Sequence, residues 1–323
     1  ICCQFSIEAK EDQKGQFGTT YARWFSYLKM TCYSPLAAYR DPETGQVRVL
    51  DKRFDSSIAN LSLPCGQCIG CRLERSRQWA VRIMHEASLY KSNSFVTLTY
   101  NDEHLKPSLD YSDFQKFMKR LRKQQNVRFY MCGEYGSLNQ RPHFHACLFN
   151  CDFPDKTVWR KDRGNYIYRS ETLEKLWPFG FSSIGELTFQ SAAYVARYVM
   201  KKQTGFRSDE HYEIVDQETG EVIKRVPEFN RMSLKPGIGA EWFKKYKSDV
   251  FPNDYLVVNG LKTRPPRYYE KMYQESAPLS ELVDIEQRRY EKSQKYAENN
   301  TDERLEVRRK VLEQKLKKLK RSL

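Results

Sequence analysis

The spacing of apolar residues changes period several times along this chain, and each change predicts an element. At positions 95–100 (Phe-Val-Thr-Leu-Thr-Tyr) a β-prone run predicts a strand. Phe114, Phe117, Met118 and Leu121 then fall at i, i+3, i+4 and i+7, one face of a helix that Ser112 is placed to cap. Positions 127–132 and 143–149 predict a second and a third strand. Leu173, Leu176 and Trp177 predict a short second helix, closed by Pro178 and Gly180. Positions 181–187 predict a fourth strand, after which Ser191 opens a further helix. This β-α-β-β-α-β order is that of the split βαβ motif, so the expected class is α+β with a ferredoxin-like antiparallel sheet. Such a sheet has one open face, and the helix beginning near Ser191 follows the last strand and can lie across it.

The flanks have a different texture. Residues 1–29, upstream of Met30, read as an N-terminal extension. Residues 30–92 form a cysteine-containing segment with a turn at Asp41-Pro42-Glu43-Thr44-Gly45. It ends in a helix where Trp79, Ile83 and Ala87 recur beside Arg75, Arg77 and Arg82. The split βαβ unit is assigned to 93–205 and an accessory α/β region to 206–280, with a hairpin at 212–216 and 221–226. Residues 281–323 read as a basic helical tail, poorly ordered at its end.

Charge adds a partner. The net charge of +14 and 14% aromatic content, with 21 Tyr and 18 Phe, favour a polyanion whose bases can stack on exposed rings. Half of that surplus is local, because residues 304–323 carry nine Lys or Arg against two Glu. No apolar run approaches the roughly 18 residues of a membrane span, so no membrane is expected, and no secretory signal is evident. Nine unevenly placed cysteines fit a reducing compartment better than a disulfide framework.

The candidate chemistry follows from period and spacing. His143 and His145 lie on one face of a strand, and a hairpin between the second and third strands can bring the Glu134 carboxylate to the same point. Two imidazoles and a carboxylate suit Mn²⁺ or Mg²⁺, and by ligand type also Zn²⁺ or Ni²⁺. Tyr194 and Tyr198 lie on one face of a helix. A phenol of pKa about 10 is roughly 0.1% ionised at neutral pH, a deficit of about 4 kcal/mol that a nearby cation must offset. Lys201, one turn beyond Tyr198, or the adjacent Lys202 can do so, or can protonate a leaving 3′ oxygen. A metal that polarises a phosphate and a phenol that attacks it together make a DNA-nicking site. With two phenols, one can hold a 5′-phosphate while the other cuts again. The bland alternative is a pair of surface strand histidines and an aromatic stripe packing a helix. Cys65, Cys68 and Cys71 with Cys32 as a fourth ligand are candidates for structural Zn²⁺ or for packing beside a glycine-rich turn. Arg75 occupies the neighbourhood where an iron–sulfur run would place Cys and Pro.

His143-Phe144-His145 with Tyr194 and Tyr198 resembles the HUH endonuclease superfamily in its two-tyrosine form. More narrowly, Cys32-Tyr33-Ser34-Pro35-Leu36, Pro64-Cys65-Gly66-Gln67-Cys68-Ile69-Gly70-Cys71-Arg72, Gly133-Glu134-Tyr135-Gly136 and Ser233-Leu234-Lys235-Pro236-Gly237-Ile238-Gly239 are similar to gokushovirus (Microviridae) rolling-circle replication initiators. The similarity spans about residues 30–273. It implies His143, His145 and Glu134 as metal ligands and Tyr194 and Tyr198 as alternating nucleophiles, with Lys201 in a tyrosine-x-x-lysine position. It also implies nicking of replicative double-stranded phage DNA, a 5′-phosphotyrosine, later rejoining of the displaced single strand, and action in the cytoplasm of a bacterial host. The 3′-OH would serve a host DNA polymerase, and since the sequence has no Gly-x₄-Gly-Lys-Ser/Thr, unwinding is expected from a host helicase. The alternatives are an HUH transposase or plasmid relaxase, which often gathers three histidines, and a noncatalytic nucleic-acid-binding protein.

Overall fold

The computed structural model describes residues 32–50, 58–136, 139–162, 164–197, 208–215 and 220–318. The chain opens with three short strands, β1 (Leu36–Arg40), β2 (Val47–Val49) and β3 (Leu61–Leu63), which form a small antiparallel sheet in the order β2-β1-β3. Helix α1 (Ile69–Ala87) follows, then β4 (Asn93–Tyr100), α2 (Tyr111–Arg122), β5 (Arg128–Tyr135), β6 (Pro142–Phe149), β7 (Thr157–Asp162), β8 (Asn165–Arg169), α3 (Glu171–Leu176), β9 (Gly180–Gly185) and α4 (Phe189–Arg197). Beyond these lie α5 (Ser208–Tyr212), the hairpin β10 (Glu213–Val215) and β11 (Val222–Lys224), and β12 (Phe229–Met232). The chain continues through α6 (Ala240–Val250), the hairpin β13 (Leu256–Val258) and β14 (Leu261–Thr263), α7 (Arg267–Gln274), α8 (Leu279–Gln294) and α9 (Asp302–Lys318).

The class is α+β, as the pattern predicts. Strands β5-β6-β4-β9 form the antiparallel centre of the main sheet, and β5 and β4 run parallel on either side of β6, the split βαβ arrangement. The sheet is wider than the pattern predicts, seven strands in the order β12-β5-β6-β4-β9-β8-β7. Strand β12 is added outside β5, and the β7–β8 hairpin outside β9, where it pairs through Tyr168 and Ile184. The hairpin escaped the pattern because every residue of β7 but the last is exposed, so it has no alternation of buried and solvated positions.

Two helix starts also differ from expectation. The cap of α2 is Asp110, whose carboxylate accepts from the Ser112 backbone N–H at 2.9 Å. A carboxylate two residues upstream of a free N–H competes well for it. Helix α4 begins before Ser191, which lies in its first turn. There the Ser191 Oγ accepts from the Thr188 N–H at 2.8 Å, and the Thr188 hydroxyl accepts from the Ser191 N–H at 3.2 Å, a reciprocal arrangement like a capping box.

The sheet has two differently furnished faces. On one, Val96, Leu98, Phe129, Met131, Phe144, Ala146 and Leu148 meet Phe114, Phe117, Met118 and Leu121 of α2 and Leu173, Leu176 and Trp177 of the α3 region. The Asp113 carboxylate, buried beneath it, accepts from the Tyr100 hydroxyl at 2.9 Å. On the other face, Phe95, Tyr130, Cys132, Cys147 and Phe149 are covered by Ala80, Ile83 and Ala87 of α1 and by Ala192, Ala193 and Val195 of α4. The helix after the last strand thus lies across this face as expected, with α1 beside it. A third core joins Val81 of α1 to α6, α7 and α8 through Phe243, Tyr269, Tyr273 and Ile285. Among the described residues no helix is long and apolar enough to cross a membrane.

Candidate metal centre

The centre lies on the face under α1 and α4, and strand register builds it. Glu134 is paired directly with His143 across β5–β6. His145 is flanked by Cys132 on β5 and Thr97 on β4. Because side chains alternate along a strand, Glu134, His143, His145 and Thr97 all point to the same side. The Glu134 Oε1 lies 2.9 Å from His143 Nε2 and 3.0 Å from His145 Nε2. One ligand atom from each of the three residues falls within 4.8 Å of the others. Glu134 is 2% exposed and His145 7%, so a charge placed here acts in a site largely withdrawn from water.

The far nitrogen of each ring is also held. His143 Nδ1 donates to the Arg141 carbonyl at 3.0 Å, and His145 Nδ1 lies 2.9 Å from the Thr97 hydroxyl. Arg141 is itself fixed, its guanidinium donating to the Tyr100 carbonyl at 2.9 Å and pairing with Asp102 at 2.5 Å. Such outer contacts aim both Nε2 atoms at one point. Both nitrogens of His143 then face oxygen acceptors. Its ring must either carry two protons or share the Nε2 position with a cation that Glu134 also binds. Burial would push the Glu134 carboxyl up, but hydrogen bonds from the two histidines outweigh it and bring it down to about 2. A compact, electron-rich set of two imidazoles and one ionised carboxylate fits a divalent cation.

Tyr194 projects from α4 onto this site. Its ring meets that of His145 edge-to-face at 5.2 Å between centroids, and its other neighbour is Phe95 at 6.5 Å. The Arg197 guanidinium lies 5.9 Å from the Tyr194 ring. Small residues let α4 approach: Ala192, Ala193 and Ala196 are all buried, and the Ala193 carbonyl accepts from the Ser76 hydroxyl of α1 at 3.3 Å. From β12, Asn230 donates to the Val195 carbonyl at 3.3 Å. The structure therefore brings together His143, His145, Glu134 and Tyr194. Tyr198, Lys201 and Lys202 lie outside the described residues. Thr97, Arg141 and Ser76 were not picked out by sequence reasoning. The signal for Thr97 was parity, since it sits two residues from Phe95 and Thr99 on the strand paired with His145.

A second group stands apart. Cys32, Cys65, Cys68 and Cys71 bring their sulfurs within 4.8 Å of one another, and all are half-buried free thiols.

Comparison with known proteins defines first a class. Residues 93–203, which span β4 to the tyrosine helix, match the family described as Replication-associated protein ORF2. The chain is 34% identical over 263 residues to Replication-associated protein VP4 of Bdellovibrio phage phiMH2K, covering 77% of this chain and 79% of that protein. It is 35% identical over 241 residues to Replication-associated protein ORF2 of Spiroplasma virus 4, covering 68% and 71% respectively. Replication-associated protein ORF4 of Chlamydia phage 1 is 30% identical over 223 residues, with 65% and 53% covered. No solved structure matches the chain. The chain belongs to the replication-associated proteins of Microviridae-type phages.

Proposed function

We propose that this chain initiates rolling-circle replication of a single-stranded DNA phage by nicking and rejoining origin DNA through a tyrosine-linked intermediate. The observation that carries the proposal is the Tyr194 ring set edge-on against His145 at 5.2 Å, beside the convergent Glu134, His143 and His145. A divalent cation bound by these three, Mn²⁺ or Mg²⁺ by donor type, would supply Lewis acidity to a scissile phosphate. The chain's own residues do the rest. Thr97 and the Arg141 carbonyl hold the two rings in orientation. The Tyr194 or Tyr198 oxygen attacks phosphorus, forming a phenolic O–P bond as the P–O3′ bond breaks. The 3′ oxygen leaves with a proton, for which Lys201 is placed by sequence. The product is a 5′-phosphotyrosine and a free 3′-OH for a host polymerase, with unwinding left to a host helicase. In this reading residues 93–205 are the nuclease core.

The exposed hairpin supports a single-stranded partner. Trp159 is 52% exposed and Tyr166 49%. Arg160 lies 4.7 Å and Arg169 5.9 Å from the Trp159 ring, and Lys161 5.1 Å from the Tyr166 ring. Rings interleaved with cations are what a single strand stacks on.

The test is incubation of the purified chain with single-stranded origin DNA of its phage and Mn²⁺, scored for a covalent protein–DNA adduct. Tyr194→Phe and Tyr198→Phe singly should weaken the adduct, and the double change should remove it. An adduct that survives the double change, or one formed equally well in chelator, overturns the assignment. A protein that only binds would give a salt-sensitive mobility shift without any adduct.

A further inference from the structure

We infer that Cys32, Cys65, Cys68 and Cys71 form a mononuclear structural zinc centre that builds the socket for the basic C-terminal helix α9. The inference is independent of the nicking chemistry, since neither the residues nor the metal are shared.

The geometry selects this chemistry. All four sulfurs lie within 4.8 Å of one another, and the Cys32 and Cys68 sulfurs are 3.8 Å apart. Four sulfurs at Zn–S bonds of about 2.3 Å stand about 3.8 Å from each other in a tetrahedron. A disulfide would need about 2.05 Å and would leave two of the four thiols over. A cubane iron–sulfur cluster would hold its cysteines farther apart, because the metals themselves separate the ligands.

The surrounding backbone treats these sulfurs as anions. The Cys65 N–H donates to Cys32 Sγ at 3.2 Å, the Cys68 N–H to Cys65 Sγ at 3.3 Å, and the Tyr33 N–H to Cys68 Sγ at 3.3 Å. Gly66 takes a left-handed φ of 74°, which closes the turn between Cys65 and Cys68 and which a side chain would strain. Cys68 caps α1 and Cys71 lies in its first turn, where no acidic residue stands. The exposed N–H groups of a helix start favour thiolate there. Four thiolates around Zn²⁺ leave two negative charges, and Arg75, donating to the Gly66 carbonyl at 3.3 Å, borders the turn.

The socket is the consequence. Tyr33 follows one ligand and Leu73 lies two residues after another. Together with Leu305 and Leu312 of α9 they form one apolar cluster, with Cys68, Ile69 and Leu316 packed on it. The walls of the socket belong to segments more than thirty residues apart in sequence, and the four sulfurs tie them together. Helix α9 spans most of residues 304–323, which carry half of the positive surplus of the chain, so the centre fixes where that charge is presented.

The experiment uses the full chain expressed with zinc supplied. Elemental analysis should give about one zinc per chain, lost in Cys65→Ser and Cys71→Ser and kept in His143→Ala, which separates this centre from the histidine site. Extracting zinc with a thiol-blocking mercurial and chelator should speed tryptic cleavage around Lys295 and Arg304 by at least about tenfold, the sign of an undocked helix. Where a serine variant fails to fold, cobalt substituted into the intact chain should give the intense visible absorption of a tetrahedral thiolate site. A chain without zinc, a chain with an iron–sulfur chromophore, or zinc that survives both serine variants overturns the centre. Zinc extraction that leaves α9 cleavage unchanged overturns the socket.

Discussion

Replacing Thr97 with valine separates an aimed ligand from one merely present. Valine keeps the shape of threonine and its β-branched fit to the strand. It removes only the hydroxyl that lies 2.9 Å from His145 Nδ1. Loss of such an outer-shell partner typically weakens metal binding 10–100-fold, about 1.4–2.7 kcal/mol. At a Mn²⁺ concentration 100 times the wild-type Kd, binding stabilises the fold by about 2.7 kcal/mol. With a thirtyfold weaker site the same concentration gives about 0.9 kcal/mol. Denaturant unfolding with and without Mn²⁺ reads that difference, and calorimetric titration reads the Kd directly. Thr97→Ser should restore the wild-type value because it returns the hydroxyl. Thr99→Val is the control: Thr99 pairs with His143 across the same strands, yet His143 Nδ1 is held by the Arg141 carbonyl instead. If Thr97→Val binds Mn²⁺ within twofold of wild type, or Thr99→Val weakens binding as much, the account of how His145 is aimed is wrong.

Three other outcomes follow from particular contacts. Trp159→Ala should lower affinity for single-stranded DNA by about 1–3 kcal/mol in anisotropy titrations at fixed salt, with Mn²⁺ affinity unchanged. Burial brings the His85 imidazole down to about 3, and its Nδ1 accepts from the Tyr269 hydroxyl at 3.0 Å. The unfolded chain takes that proton near pH 6.5, so stability is full above that pH and falls as pH drops toward 3. By pH 5 the loss from this group is at most about 2 kcal/mol, and His85→Gln should flatten the slope of unfolding free energy between pH 7 and 5. Ala193→Leu should cost about 1–3 kcal/mol by overpacking and push α4 from the sheet. Adduct formation should then fall about a hundredfold while Mn²⁺ affinity stays, and an adduct yield that does not change would show that the seat of α4 does not govern the reaction.

The parts of the fold that alternate or repeat were legible, and those that answer to neighbours were not. Strands β4, β5, β6 and β9 and helix α2 are amphipathic or fully buried, and their order alone specified the split βαβ centre. The hairpin of β7 and β8 is held by its own ladder and by a single point on β9, so burial left no mark on its sequence. The same division holds at the site. His143, His145 and Glu134 could be placed by the parity of two strands and a hairpin. The fourth cysteine could not, because nothing local connects Cys32 to Cys65; it takes the pairing of β1 with β3 to return the chain to that point. Thr97 was hidden for a similar reason, since its meaning depends on which residue stands opposite.

The three metal-ligand candidates sit on the interior strands β5 and β6, with no loop among them, while Tyr194 rides on a helix docked by alanines and two hydrogen bonds. Strand ladders on both sides hold the ligands in place whether or not a cation is bound, a property that suits a site expected to work repeatedly. The helix is held less firmly, by packing that a single methylene can disturb. A strand-transfer reaction needs that inequality: the cation site must stay fixed while a phenol carrying DNA yields its position to another. The same inequality predicts opposite signatures for Thr97→Val and Ala193→Leu, one losing metal with the helix in place, the other losing the adduct with the metal in place.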